Sequence, residues 1–309
     1  MLSITWKRSL VAKKEKLPPI LDLVQEEIEK VLDTSNRHVW GSQHLKQFLK
    51  TIDTLGPLLS TSYIPTDDVI KFLIKKSRLI NLKFKTPRIE TLYCWRNFNE
   101  YELMPVLRPK GYYTHLSALY FHELLDYEPN CIYFNHEQPA RPPLVGNLEQ
   151  SRIDNAFKKK QRLTTARTVF DGKEYWLLNG KQTGNYGAIK MKFPGSIVIP
   201  VTDLERTLID ITVRPAYARG VDSVLKAFRL AQPKVSIEKL IRTLRILNYV
   251  YPYHQSIGFY LEKAGNYSNE EIQQFSEYNT LKYDFYLDYE IKAPAYSEKW
   301  RVYYPKDLK

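Results

Sequence analysis

The stretch from Thr66 to Trp95 constrains the fold of this chain more than any other. Thr66 follows Pro65 and is a suitable N-cap, and the next two residues are aspartates, which suit the positive end of a helix dipole. The spacing predicts a helix that runs to about Ser77. At 100° per residue its apolar side chains fall on one side, which makes the helix amphipathic: Val69, Ile70, Phe72, Leu73 and Ile74.

The opposite side of this helix is mostly cationic, with Lys71, Lys75 and Arg78 beside the acidic Asp67 and Asp68. Two short β-like runs follow, residues 79–84 and 89–95, and residues 85–88 lie between them. Residues 71–96 carry eight basic side chains and one acid, Glu90. A cationic helix followed by a cationic hairpin is therefore predicted.

Two further helices are predicted before this segment, over residues 20–32 and 42–52, and a broken linker is predicted over residues 55–64. Three helices followed by a hairpin are the order of a winged helix-turn-helix. We assign residues 37–104 to such a DNA-binding domain. Residues 1–36 are an N-terminal extension whose helix packs on that domain.

The winged helix predicts which side chains meet a duplex. The helix is thin enough for the major groove, and lysine and arginine neutralise phosphates. The wing would meet phosphates or the minor groove. The two aspartates would repel phosphate unless they cap the helix or accept from a cytosine amino group. The alternative is a solvated cationic face in a protein-binding adaptor. The predicted DNA-binding residues are Thr66, Lys71, Lys75 and Arg78 on the helix and Lys83, Lys85 and Arg88 on the wing.

Residues 105–309 are expected to form a larger mixed α/β domain, so that the whole chain is of the α+β class. A boundary is predicted at Met104-Pro105. Strands are predicted over residues 131–135, 165–170, 174–178, 189–193, 197–200 and 283–290. Helices are predicted over residues 115–125, 152–162, 203–212, 221–230 and 236–248, with a capping box from Thr202 to Glu205.

Charge and cysteine content indicate the partners and the compartment. The net charge of +12 favours a polyanionic partner, nucleic acid or an anionic membrane surface. No apolar run is long enough to span a bilayer, and the basic start of the chain, residues 1–16, lacks the apolar core of a signal peptide. Cys94 and Cys131 suggest neither a disulfide framework nor a metal site, so a cytoplasmic protein with two buried, inert thiols is expected.

Two other groups of charged residues allow a functional and a structural interpretation. A second basic patch is either another DNA contact or a solvated helix face: Arg152, Lys158, Lys159, Lys160 and Arg162. Arg206 and Asp210 are four residues apart on a predicted helix, a spacing that allows a salt bridge, and a structural ion pair is the better interpretation.

Enzyme motifs are incomplete in this sequence. The run from His122 to Asp126 lacks the second histidine of a zinc protease helix. Asp284, Asp288 and Glu290 could hold Mg²⁺ as in a DNA nuclease of a defence system, but without the usual spacing. We therefore expect no enzyme, no catalytic residue, no cofactor and no metal, and the nuclease stays as the alternative.

Three segments together resemble the AbiEi-type antitoxins of bacterial type IV toxin–antitoxin systems, which act in phage defence: residues 113–119, residues 201–210 with Arg-Thr-Leu-Ile-Asp, and residues 255–262. Residues 300–305 resemble the closing strand of that family. The resemblance covers about residues 40–305. It implies a winged helix joined to an α/β domain, repression of its own operon at inverted repeats of double-stranded DNA, and control of a nucleotidyltransferase-type toxin. The family motif residues Arg206 and Asp210 would be structural.

Overall fold

The computed structural model describes residues 18–61, 63–86, 88–96, 98–140, 147–193 and 197–309. The chain folds as two compact units. The first comprises the chain up to Leu82 together with Thr91–Phe98, and the second comprises Lys83–Glu90 and Asn99–Lys309. The fold is mixed α+β, with thirteen α-helices among the described residues. The basic residues 1–16 and part of the proline-rich loop 139–143 lie outside the described residues.

The first unit contains helices and a small three-stranded sheet. The elements are α1 (Ile20–Leu23), α2 (Gln25–Thr34), β1 (Val39–Gly41), α3 (Ser42–Leu49), α4 (Leu55–Ser60), α5 (Thr66–Lys76), β2 (Leu79–Thr86) and β3 (Arg88–Trp95). The three strands are ordered β1-β3-β2, and β1 pairs antiparallel with β3. The apolar sides of the helices close one core with Trp40 and Trp95. This core includes Leu21, Ile28 and Leu32, so α1 and α2 are part of it.

Three details of the first unit differ from the sequence-based expectation. The first helix is interrupted at Val24, whose backbone leaves the helical region at φ −103° and ψ 6°. The expected linker over residues 55–64 contains α4. The helix tolerates Pro57 because this residue lies in its first turn, where a missing N–H breaks no helical hydrogen bond. Pro65, and not Thr66, is the residue before α5, and no side chain caps that end.

The second unit is built on a six-stranded sheet, ordered β6-β7-β5-β4-β9-β8. Its strands are β4 (Tyr112–Tyr113), β5 (Cys131–Asn135), β6 (Arg167–Phe170), β7 (Lys173–Leu178), β8 (Ala188–Phe193) and β9 (Ile197–Thr202). The pairs β5–β7 and β4–β9 are parallel, and the other pairs are antiparallel. A second sheet of three strands is ordered β10-β12-β11, with β10 (Phe285–Tyr286), β11 (Pro294–Ser297) and β12 (Val302–Pro305).

Eight helices of the described chain belong to the second unit: α6 (Leu103–Leu107), α7 (His115–Phe121), α8 (Gln150–Phe157), α9 (Leu204–Val213), α10 (Val221–Ala231), α11 (Ile237–Leu247), α12 (Tyr253–Ala264) and α13 (Asn269–Tyr278). Their apolar faces, together with Phe285, Trp300 and Val302 from the small sheet, form the large core. This core fixes the position of α9, which carries Arg206 and Asp210.

Several predictions for this unit were wrong in detail. Met104-Pro105 is not a break, because both residues lie in α6 and Pro105 occupies its first turn. Helix α7 ends at Phe121, and Glu123 adopts a positive φ of 60°. The strand expected over residues 283–290 is limited to the two residues of β10. The domain limits at residues 36 and 104 stay predictions.

The N-terminus of α9 was predicted one residue out of place. Asp203 is the N-cap, and its side chain accepts from the backbone N–H of Arg206 at 2.8 Å. Thr202 instead bonds to Thr207 at 2.8 Å, and Glu205 accepts from the Ser236 backbone at 3.0 Å. A capping box does occur at α13, where Ser268 and Glu271 each bond to the other's backbone N–H.

Both cysteines are free thiols. Cys94 is buried as expected, but Cys131, the first residue of β5, is only half-buried. Burial, with the nearby Glu174 carboxylate, raises the pKa of the Cys131 thiol, which disfavours the reactive thiolate. Among the residues that the structure describes, no helix combines the length and the apolar character needed to cross a bilayer.

Candidate nucleic-acid interface

Helix α5 carries the cationic face that the sequence indicated. Lys71 and Lys75 are exposed on the helix, Arg78 is exposed just beyond its end, and Thr66 is half-buried at its start. The opposite side is held in the core by four residues: Val69, Ile70, Phe72 and Leu73. Ile74, which was expected on the apolar side, is 38% exposed. Core packing therefore fixes which side of α5 faces solvent.

Each aspartate of this face is paired with a lysine. Lys46 Nζ on α3 lies 2.7 Å from Asp67 Oδ1, and Lys71 Nζ lies 3.4 Å from Asp68 Oδ1. Such exposed pairs add little stability, but they cancel the negative charge that would oppose phosphate. Within the described chain neither Lys75 nor Arg78 has an ion-pair partner. The net positive charge of the face therefore rests mainly on these two side chains.

A polar cluster holds the C-terminal end of α5. Ser77 Oγ donates to Glu29 Oε1 at 2.6 Å, and the Arg96 N–H donates to the Arg78 carbonyl at 3.4 Å. The Arg96 guanidinium pairs with Glu29 and, at 2.8 Å, with Asp33. Arg78 is thus presented from a fixed backbone.

The charge of Glu29 is stabilised within this cluster. Burial alone would raise the pKa of Glu29, but hydrogen bonds from Ser77 and Gln25 and the charge of Arg96 outweigh it and lower the pKa. Sequence reasoning missed the cluster, because Glu29 and Arg96 are 67 residues apart and no local pattern links them.

The predicted wing residues Lys83, Lys85 and Arg88 are exposed at the tip of the hairpin formed by β2 and β3. This tip, residues 83–90, belongs to the second unit. Phe84 between the two lysines is buried, and its ring meets the Tyr175 ring edge-on at 6.0 Å. The structure therefore places the wing cations in a different compact unit from the α5 cations.

Two polar contacts also hold the hairpin tip. The Lys85 backbone N–H donates to Thr168 Oγ1 at 3.1 Å. Arg108 forms a two-pronged ion pair with Glu90, at 2.6 and 2.9 Å. The backbone of the tip is therefore fixed on both strands, while its lysine side chains remain exposed.

The second basic patch is exposed throughout and comprises Arg152, Lys158, Lys159, Lys160 and Arg162. Helix α8 ends at Phe157, and Lys158 is its C-cap. The lysines thus follow a helix C-terminus, where cations are favoured by the helix dipole. This position leaves both interpretations of the patch open.

Arg206 and Asp210 form a buried ion pair on α9, with Nε and Oδ1 2.8 Å apart. Thr114 donates to the other carboxylate oxygen at 2.9 Å, and the Arg206 guanidinium donates to the Tyr186 carbonyl at 2.7 Å. Burial opposes the charge of Arg206, but the carboxylate of Asp210 raises the pKa of the guanidinium. The side chains of the pair are only 5% and 7% exposed, so the arrangement is a buried anchor.

Glu137 extends this anchor to the loop between β7 and β8. Its carboxylate accepts from Tyr112 at 2.9 Å, and from the backbone N–H groups of Thr183 and Asn185 at 2.7 and 3.2 Å. Thr183 also accepts from Arg206 at 3.2 Å. The carboxylate oxygens of Glu137 are thus saturated by the protein itself, which favours a structural role for the motif.

Two of the three carboxylates considered for a nuclease have other partners. Asp284 accepts from Tyr296 at 2.6 Å and pairs with Arg301 at 2.7 Å. Asp288 accepts from the adjoining backbone N–H of Tyr289 at 2.8 Å. Among the described residues no group of three or more histidines, cysteines or carboxylates could hold a metal ion. The interpretation of His122 as a ligand has no support either, since its Nε2 lies 2.7 Å from the Thr202 carbonyl.

Comparison with known proteins gives a fold relationship. No family model and no curated protein sequence matches the chain. The crystal structure of the Rv2827c protein from Mycobacterium tuberculosis matches with a TM-score of 0.58 at 13% sequence identity. The match covers 93% of this chain and 92% of the mycobacterial one. This chain is therefore similar in fold to Rv2827c along almost its whole length.

Proposed function

We propose that this protein is a DNA-binding transcriptional autorepressor and antitoxin of the AbiEi type, and that residues 37–104 form a winged helix. The observation that carries the proposal is the exposed cationic face of α5, with Lys71, Lys75 and Arg78 opposite a buried apolar side. A helix presented in this way suits the major groove of duplex DNA.

The order of elements in the first unit supports the winged helix. Helix α2, strand β1, helices α3 and α5, and the hairpin of β2 and β3 follow one another, and β1 completes a three-stranded sheet. Helix α4 is an addition between α3 and α5. In this scheme α5 is the recognition helix and the tip of the hairpin is the wing.

Electrostatics support DNA as the partner. The chain has a net charge of +12, and the aspartates of α5 are each offset by a lysine. Cations that neutralise phosphates release condensed counterions, and this release supplies much of the affinity for a duplex. Binding should therefore weaken steeply as salt is added.

The antitoxin part of the proposal depends on the resemblance of residues 113–119, 201–210 and 255–262 to the AbiEi family. In this structure the most specific of these segments contains the Arg206–Asp210 anchor. That anchor favours a structural role for the motif. The partner would be a nucleotidyltransferase-type toxin encoded beside the protein. A protective effect on cells that express such a toxin, lost on deletion of residues 99–309, would support this part.

A mobility shift on the DNA upstream of the protein's own reading frame tests the autorepressor. Changing Lys71, Lys75 and Arg78 together to Ala should strongly weaken the salt-sensitive shift that the wild-type protein gives. The matched control removes the same charge from exposed positions of the second unit: Lys263, Lys292 and Lys306 are each changed to Ala. An equal loss of affinity in both variants would mean that only the net charge matters. Unaltered DNA binding of the first variant would refute the assigned face.

A further inference from the structure

We propose that Ile89 is an apolar wedge that enters the minor groove of duplex DNA. This inference rests on the proposed DNA-binding function. Ile89 is 71% exposed at the tip of the hairpin, where large apolar side chains are usually avoided. Its neighbours in the tip, Lys83, Lys85 and Arg88, are exposed cations.

The contacts of the tip define which way Ile89 faces. Phe84 on one strand is buried against Tyr175, and Glu90 on the other strand is paired with Arg108. Successive side chains of a strand point to opposite faces. Ile89, next to Glu90, therefore points away from the side on which the tip is anchored.

The same alternation places the lysines with Ile89. Lys83 and Lys85 flank the buried Phe84 in sequence, so their side chains leave the strand on the face opposite to it, and both are exposed. The free face of the tip thus combines one apolar side chain with two cations. Cations attract the phosphates that border the minor groove, and an apolar side chain between them can separate two stacked base pairs.

The fixed backbone of the tip suits this role. The Lys85 backbone N–H is held by Thr168, and a backbone held in this way reduces the ordering that binding requires.

Apolar insertion costs least at pyrimidine–purine steps, which unstack easily. The proposal therefore includes a preference: the DNA that Ile89 meets should contain a TpA or CpA step. A lysine contact to phosphate has no such preference, because phosphates carry no sequence information.

The test uses the full chain and the sequence footprinted upstream of its reading frame, with 2-aminopurine placed in turn at each TpA and CpA step. Wild-type protein should raise the fluorescence at one step. Ile89→Ala should abolish that rise and weaken binding about tenfold without changing the salt dependence, since an apolar contact releases no counterions. Ile89→Leu should keep both signals.

The control is Ile80→Ala, which removes an exposed isoleucine (40%) from β2 of the same hairpin, outside the tip. Its affinity and fluorescence should equal those of the wild type. Ile89→Ala with unchanged affinity and an unchanged fluorescence rise would overturn the wedge alone, provided that the Lys71, Lys75 and Arg78 variant still loses binding. A wild-type protein that shifts no upstream DNA would overturn both proposals.

Discussion

Replacing Asp210 with Asn should destabilise the second unit, because the change leaves a buried guanidinium without its counter-charge. The Arg206 and Asp210 side chains are 5% and 7% exposed, and the carboxylate accepts from Arg206 at 2.8 Å and from Thr114 at 2.9 Å. An amide retains one acceptor oxygen but replaces the other by a donor. Removing one partner of a buried ion pair costs about 3–5 kcal/mol of unfolding free energy.

Urea unfolding followed by circular dichroism measures this loss. The matched control is Glu123→Gln, which breaks an exposed pair with Lys234 and should change the unfolding free energy by less than about 0.5 kcal/mol. The double variant Arg206→Met, Asp210→Leu should recover most of the stability, because no unpaired charge remains buried. A loss below about 1 kcal/mol in Asp210→Asn would refute the buried-anchor reasoning.

Three further outcomes follow from individual contacts. Burial lowers the pKa of His115 and His254 to about 4, so both bind protons more weakly in the folded chain than their usual pKa of about 6.5 implies. The stability that depends on these histidines is therefore fully present above about pH 6.5 and falls towards pH 4. Urea unfolding at pH 7 and at pH 5 should show a loss of unfolding free energy of about 1–2 kcal/mol for each histidine. Gly258→Ala should lower stability by at least about 2 kcal/mol in thermal unfolding, since the new Cβ would lie 2.1 Å from the Trp300 ring; an unchanged melting temperature would contradict that packing. Lys46→Met should weaken DNA binding about threefold, because it exposes the charge of the aspartate that Lys46 pairs with. Fluorescence anisotropy measures the affinity, and equal or tighter binding would show that Lys46 does not shield this aspartate.

Local sequence patterns predicted the regular elements of this fold where a periodic run is long. Strand β5 lies at residues 131–135 as expected, and α11 begins after Ser236 and ends at Leu247, within one residue of the prediction. Helix α5 and its exposed cations were likewise visible from spacing alone. In the two helices a single buried face repeats over several turns, and β5 is a continuous run of buried residues.

Elements of two or three residues were missed, because too few side chains alternate to produce a pattern. Strands β1 and β4 are examples, and both are defined by pairing with distant strands. Helix α4 was hidden by Gly56 and Pro57, which signal a break in sequence but fit the first turn of a helix. The anchors of the candidate site depend on tertiary contacts that no local window contains: Arg96 pairs with Glu29 on α2, and Arg108 pairs with Glu90 in the hairpin tip.

The salt dependence of DNA binding tests the central claim most directly. The affinity of the wild-type protein and of the Lys71, Lys75 and Arg78 to Ala variant for the upstream DNA should be measured at several salt concentrations. Each phosphate contact contributes about 0.9 to the slope of log affinity against log salt. The account predicts that the variant loses a slope of about 2.7 if all three side chains meet phosphates. An identical slope for both proteins would contradict the assignment of α5 as the DNA-binding helix.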